Sequence, residues 1–256
     1  MQGQAKDAAE SYLNWWALAG VDYLYRDEVM PFLTPPEPLL HTETRADSAP
    51  APVAAVPQQA AAQSFDAATL PDNLQDFHRW LSNSPALPGA GWSAHRVLPR
   101  GIAQSGLMVI SDFPDGADIE QQTLFSGGPG KLLSAMLGAI GIPLEQVMLT
   151  PLCFTRPPGG RLDPQAERDL VAIARHHIAL AQPKTLLVLG DRTSRALIGM
   201  DMREGRSWLR SVNHFHGSVD AVITFHPRFL LERPQYKRAA WDDLKLLRKE
   251  LGKNHA

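Results

Sequence analysis

A chain of 256 residues, 44% hydrophobic and 20% charged, holds material for one large domain or a domain with an appendage. No run approaches the ~18 apolar residues of a membrane span, and one cysteine, Cys153, excludes an internal disulfide and any site built on several thiolates. The net charge of −2 conceals an asymmetry, because residues 1–155 carry 7 basic and 16 acidic side chains while residues 156–256 carry 18 and 11.

That basic half reads either as a polyanion-binding face or as Lys and Arg covering helix surfaces. The first residues lack a basic region followed by an apolar core, so no secretory signal is expected and the expected compartment is the cytoplasm. Residues 9–24 carry Tyr12, Trp15, Trp16 and Leu18 at helical spacing. A helix this short is marginal alone, so residues 1–30 are expected to dock on the main body or to contact a protein partner. Residues 31–71 are punctuated by eight prolines within an Ala-rich tract and read as a disordered or semi-extended linker.

The folded domain is expected over 72–256. Leu74, Phe77, Trp80 and Leu81 share one helical stripe. Gly106 to Ile110 is a short apolar run, read as a buried strand that breaks into the turn-rich Ser111-Asp112-Phe113-Pro114-Asp115-Gly116. Gly127, Gly128 and Gly130 precede a helix whose core stripe is Leu132, Leu133, Met136, Leu137 and Ile140. Glycines there either leave N–H groups free for a phosphate or form a tight turn, and the pattern is not a nucleotide P-loop.

Val147 to Thr150 is the next strand, followed by a helix from Pro164 through Ala181, a strand from Lys184 to Leu189, and a helix from Thr193 to Ile198. Met200 to Gly217 reads as polar and irregular. Val219 to Phe225 is a buried strand ending at His226-Pro227, and Tyr236 to Leu251 closes the chain as a helix. Strands alternating with helices argue a three-layer α/β/α sandwich around a central, mainly parallel sheet of four or five strands. In such a sheet ligands sit beyond the carboxyl ends of the strands, which is where His226 falls.

The ordered motifs resemble the uracil-DNA glycosylase superfamily, and its family 4 branch in particular. They run from Ser111-Asp112-Phe113-Pro114-Asp115 and Leu124 to Leu133, through Arg156-Pro157-Pro158-Gly159-Gly160-Arg161 and Pro183 to Gly190, to His226-Pro227-Arg228-Phe229-Leu230-Leu231 and Trp241-Asp242-Asp243-Leu244. The resemblance implies an enzyme of DNA base excision repair that flips a nucleotide out of the helix and hydrolyses its N-glycosidic bond. Asp112 would handle water and the developing cation, and His226 would donate to the departing base. Phe125 would stack on the base, with Phe113, Pro114 and Pro151 lining its pocket. Arg228, Arg156, Arg161, Gly128 and Gly130 would meet DNA.

Four departures accompany the resemblance. Asp112 stands where family 4 has Glu, one methylene longer. Pro151 replaces the base-reading Asn and has no side-chain donor. Arg228 follows His-Pro where the family has a small residue. Thr155 and Leu170 stand at two of the four positions where the family's cysteines hold an iron–sulfur cluster, so no cofactor or metal is expected. The alternative is a divergent, weakly active or inactive relative that binds nucleic acid or a protein.

Overall fold

The structure is a computed structural model, and it describes residues 65–102 and 105–253. The N-terminal helix and nearly all of the linker anticipated from the sequence lie outside these residues. Packing begins by Phe65, whose ring centroid lies 6.3 Å from that of Trp80. Leu70 is already buried.

Five strands form one sheet: β1 (Leu107–Ser111), β2 (Met148–Pro151), β3 (Thr185–Leu189), β4 (Arg210–His214) and β5 (Gly217–Thr224). Their spatial order is β2-β1-β3-β5-β4. The first four in that order pair parallel, and β4 pairs antiparallel with β5. Every residue of β1, β2 and β3 is buried, as expected of parallel strands covered on both faces.

Alternate side chains divide between two cores. Val109, Leu149, Leu187 and Val222 face α3 (Gly128–Ala139), α7 (Pro227–Glu232) and α8 (Lys237–Lys253). Met108, Ile110, Leu186, Val188 and Ile223 face α4 (Pro164–Ala181) and α5 (Asp191–Ile198). The result is the expected three-layer sandwich. A third cluster joins α1 (Leu74–Asn83) to α4 through Phe77, Leu81, Leu87, Phe154, Leu170 and Ile173.

Three elements differ from the sequence reading. Met200 to Gly217 holds α6 (Met202–Gly205) and β4 rather than irregular chain. β4 is an edge strand with only Val212 fully buried, so its sequence lacks an apolar run. Within the turn-rich segment lies α2 (Gly116–Gln121), fixed by a capping box between Asp115 and Asp118. Pro227 opens α7 with His226 as its N-cap; the fixed φ that ends a strand also suits the first helical turn. Among the described residues, no helix is long and apolar enough to cross a membrane.

The chain leaves β1 toward β2 on one side and leaves β3 toward β4 and β5 on the other. The crevice between the ends of β1 and β3 is therefore the switch point at which open α/β sheets bind ligands.

Candidate active site

Asp112 follows β1, Gly190 follows β3, and His226 lies two residues beyond β5. All three line one cleft of about 740 Å³, together with Arg192, Arg203 and Arg228. His226 Nε2 lies 3.7 Å from Asp112 Oδ1 and 2.9 Å from Ser111 Oγ. On the other side of the ring, the Arg228 N–H donates to Nδ1 at 3.1 Å.

Those contacts fix the ring's protonation. An Nδ1 that accepts a hydrogen bond leaves the single proton of a neutral imidazole on Nε2, on the same side as Ser111 and Asp112. Burial pushes the His226 pKa down to about 4, outweighing the upward pull of Asp112, and the Arg228 charge lowers it further. His226 is thus a neutral donor at neutral pH. Gly190 permits this fit: it has φ +86°, and a β-carbon there would lie 3.3 Å from the His226 β-carbon.

Phe125 packs its ring 5.7 Å from the His226 imidazole at an interplanar angle of 31°. It does not line the cleft, so Asp112 and His226 share a hollow while the ring backs the imidazole. Phe125 has φ +60°, a left-handed conformation costly for a bulky side chain. Asp118 holds it there: its Oδ1 accepts from the N–H and hydroxyl of Ser126, both at 2.8 Å.

Gly130 corrects the sequence reading. Its N–H donates to the Gly127 carbonyl at 3.1 Å, so that group is not free for a phosphate. It is glycine because a β-carbon would lie 1.9 Å from the Phe125 carbonyl oxygen. Gly128, at the start of α3, is exposed.

Phe113 is buried, and the Arg156 and Arg192 guanidinium carbons stand 5.4 and 5.2 Å from its ring centroid. Arg156 also donates to the Pro114 carbonyl at 3.2 Å, and Arg192 to the Gly160 carbonyl at 3.1 Å. The two arginines thereby tie the loop after β1 to the Pro-Gly segment after β2. Arg161 is exposed. Pro151 is buried in register with Ser111, at the end of the edge strand β2, where a missing N–H is tolerated.

Behind the site, the Thr224 hydroxyl donates to Asp243 Oδ2 at 2.9 Å, and Arg206 donates to both Asp243 oxygens. Arg206 also stands 5.0 Å over the Phe225 ring. This network anchors the end of β5 immediately before His226. Sequence reasoning missed Asp118 and Arg206; Ser111, Gly190 and Asp243 sat within quoted motifs without a role.

The iron–sulfur cluster of family 4 does not fit this chain. Thr155 donates its hydroxyl to the Gly89 carbonyl at 2.9 Å, and Leu170 is wholly buried in the third apolar cluster. Burial pushes the Cys153 thiol up to about 11, so it is not a thiolate. Among the described residues, no group of three or more His, Cys, Asp or Glu side chains is placed to hold a metal ion.

The uracil DNA glycosylase superfamily model matches residues 98–245, just over half of the 256. The type-4 uracil-DNA glycosylase of Pyrobaculum aerophilum is 24% identical over 180 residues, covering 67% of this chain and 91% of that protein. That of Archaeoglobus fulgidus is 28% identical over 187 residues, covering 70% and 87%. The matched span takes in all three loops of the cleft, and the chain belongs to the uracil DNA glycosylase superfamily.

Proposed function

We propose that the protein is a DNA glycosylase that excises uracil or a related damaged base after flipping its nucleotide into the cleft. The observation that carries this reading is the facing of Asp112 and His226 across 3.7 Å in one cleft. As the glycosidic bond breaks, its electron pair passes to the base and positive charge develops at C1′. His226 donates a hydrogen bond from Nε2–H to the base carbonyl on which negative charge accumulates. A water adds to C1′ and gives its proton to Asp112. Phe125 buttresses the imidazole from outside the cleft. Arg228, Arg156 and Arg161 take phosphates of single- or double-stranded DNA, beside Gly128 at the head of α3. Catalysis resides in 72–256, residues 1–30 serve a protein partner, and the enzyme works in the cytoplasm.

The test is excision of uracil, hypoxanthine and xanthine from single- and double-stranded oligonucleotides. His226→Ala and Asp112→Ala should each lower the single-turnover rate by about 10²–10³-fold. Release of none of these bases by the unaltered protein would end the reading. Pro151 favours a second reading, an inactive relative that retains nucleic-acid binding, because it removes the usual discriminator for uracil. That reading requires salt-dependent DNA binding without base release.

A further inference from the structure

Ser111 is 1% exposed at the last position of β1, and its Oγ lies 2.9 Å from His226 Nε2 and 3.4 Å from Asp112 Oδ1. A serine between a histidine and an aspartate suggests the nucleophile of an acyl-transfer triad. The geometry excludes that here. Such a nucleophile gives its proton to a ring nitrogen with a free lone pair, while the carboxylate holds the opposite nitrogen. In this site the opposite nitrogen, Nδ1, accepts from the Arg228 N–H, so Nε2 carries the proton and has no lone pair for the hydroxyl. Asp112 also lies on the Nε2 side.

The direction of the chain is therefore the reverse. His226 Nε2–H donates to Ser111 Oγ, and the Ser111 hydroxyl hydrogen points on to Asp112. We infer that Ser111 is a positioning residue, which holds the imidazole plane so that Nε2–H faces the cleft and keeps that hydrogen paired until a base carbonyl arrives to share it. The hydroxyl suits this because it accepts and donates at once, linking donor and carboxylate without letting them form a direct ion pair. Its register partner, Pro151, offers no competing side-chain group.

This deepens the proposed function and depends on it only for the catalytic consequence. The groups acting electrostatically on His226 are Asp112 after β1, Asp115 and Asp118 around the start of α2, and Arg228 on α7, and of these Asp112 is the one hydrogen-bonded to Ser111. In Ser111→Ala the Nε2–H loses its near acceptor and turns to Asp112, which favours the protonated ring.

The experiment is a nitrogen-15 NMR titration of His226 in the full-length protein, beside Ser111→Ala and Ser111→Thr. The wild-type ring should show protonated Nε2 and unprotonated Nδ1 at neutral pH. Ser111→Ala should move the protonation midpoint up by about one pH unit, to a proton concentration about tenfold lower, and shift the Nε2 resonance, as expected when a carboxylate replaces a hydroxyl as partner. Ser111→Thr, which keeps the hydroxyl, should restore both. An unchanged midpoint and Nε2 shift in Ser111→Ala would overturn the inference, and so would a protonated Nδ1 in the wild type. Where uracil is released, Ser111→Ala should also lower the single-turnover rate about tenfold with substrate affinity changed less than about twofold. Absence of release from every form would count against the proposed function alone, because the titration still decides the role of Ser111.

Discussion

The Phe125 carbonyl oxygen and the α-carbon of Gly130 approach so closely that a β-carbon on residue 130 would lie 1.9 Å from that oxygen. The contact lies within a single turn, where α3 begins, and the opposing atom is backbone, which cannot swing aside. Gly130→Ala should therefore cost about 2–4 kcal/mol in urea unfolding. It should also move Phe125 away from the imidazole it now meets at 5.7 Å. Asp118→Ala should displace the same ring without the clash, by leaving the Ser126 N–H unpaired, at about 1–3 kcal/mol. If both variants unfold like the wild type, the left-handed turn at Phe125 is not held as described.

Pro151 is the position at which restoring a family feature has a definite consequence. Pro151→Asn adds an amide beside Ser111, at the end of an edge strand that tolerates the change. Without a base that buried amide lacks a partner, so stability should fall by about 1–3 kcal/mol. With a base it becomes a reader, and the preference for uracil over hypoxanthine should rise by an order of magnitude or more. Competition between the two substrates in one reaction measures the ratio directly. An unchanged ratio would mean that discrimination is made elsewhere in the cleft.

What the sequence disclosed follows from the range of each signal. Asp112, Phe125 and His226 were legible because each closes an apolar run or opens a glycine turn in a recognisable order. Strands β1, β3 and β5 were legible because burial on both faces writes continuous apolar stretches. β4 left no such trace, since Arg210, Ser211, Asn213 and His214 surround one buried valine. α2 is six residues long, and its capping box reads as turn residues until Asp118 is seen bonded to Ser126. The role of Ser111 was invisible for a different reason. A serine at a strand end signals nothing until the fold brings His226, 115 positions along the chain, to its hydroxyl.

The third apolar cluster makes a prediction about iron. Leu170 is fully buried among Phe77, Leu81, Leu87 and Phe154, at one of the positions where family 4 has a cluster cysteine. Apolar packing there joins α1 to α4. Leu170→Ala should therefore cost about 2–5 kcal/mol, as a cavity in a packed core does. Protein purified without oxygen should carry no stoichiometric iron and show no cluster absorption in the visible range. Stoichiometric iron, or a stability loss reversed by adding iron and sulfide, would contradict the packing account.

Two buried neutral histidines set the acid limit of stability. Burial holds His226 down to about 4, and burial with the charges of His78 and His176 holds His177 down to about 3. Unfolded histidine titrates near 6.5. Below that pH the unfolded chain binds protons that the folded one refuses, so folding weakens as pH falls, by about 1.4 kcal/mol per pH unit for each ring. The His226 contribution runs from about pH 6.5 down to about 4, and that of His177 continues to about 3. Asp243 acts in the opposite sense. Burial raises its pKa to about 6 against the pull of Arg206 and Thr224, so the folded state gains a proton first, between about pH 6 and 4. A comparison of variants removes that complication. His177→Gln cannot titrate and leaves Asp243 untouched, so the difference in urea midpoint between it and the wild type, followed from about pH 7 to 5, reports His177 together with His78, whose Nε2 lies 3.0 Å from the His177 Nε2. The wild type should lose stability faster on acidification, by a difference that steepens below about pH 6.5 toward about 1.4 kcal/mol per pH unit. Parallel curves would mean that His177 takes up its proton within the folded protein.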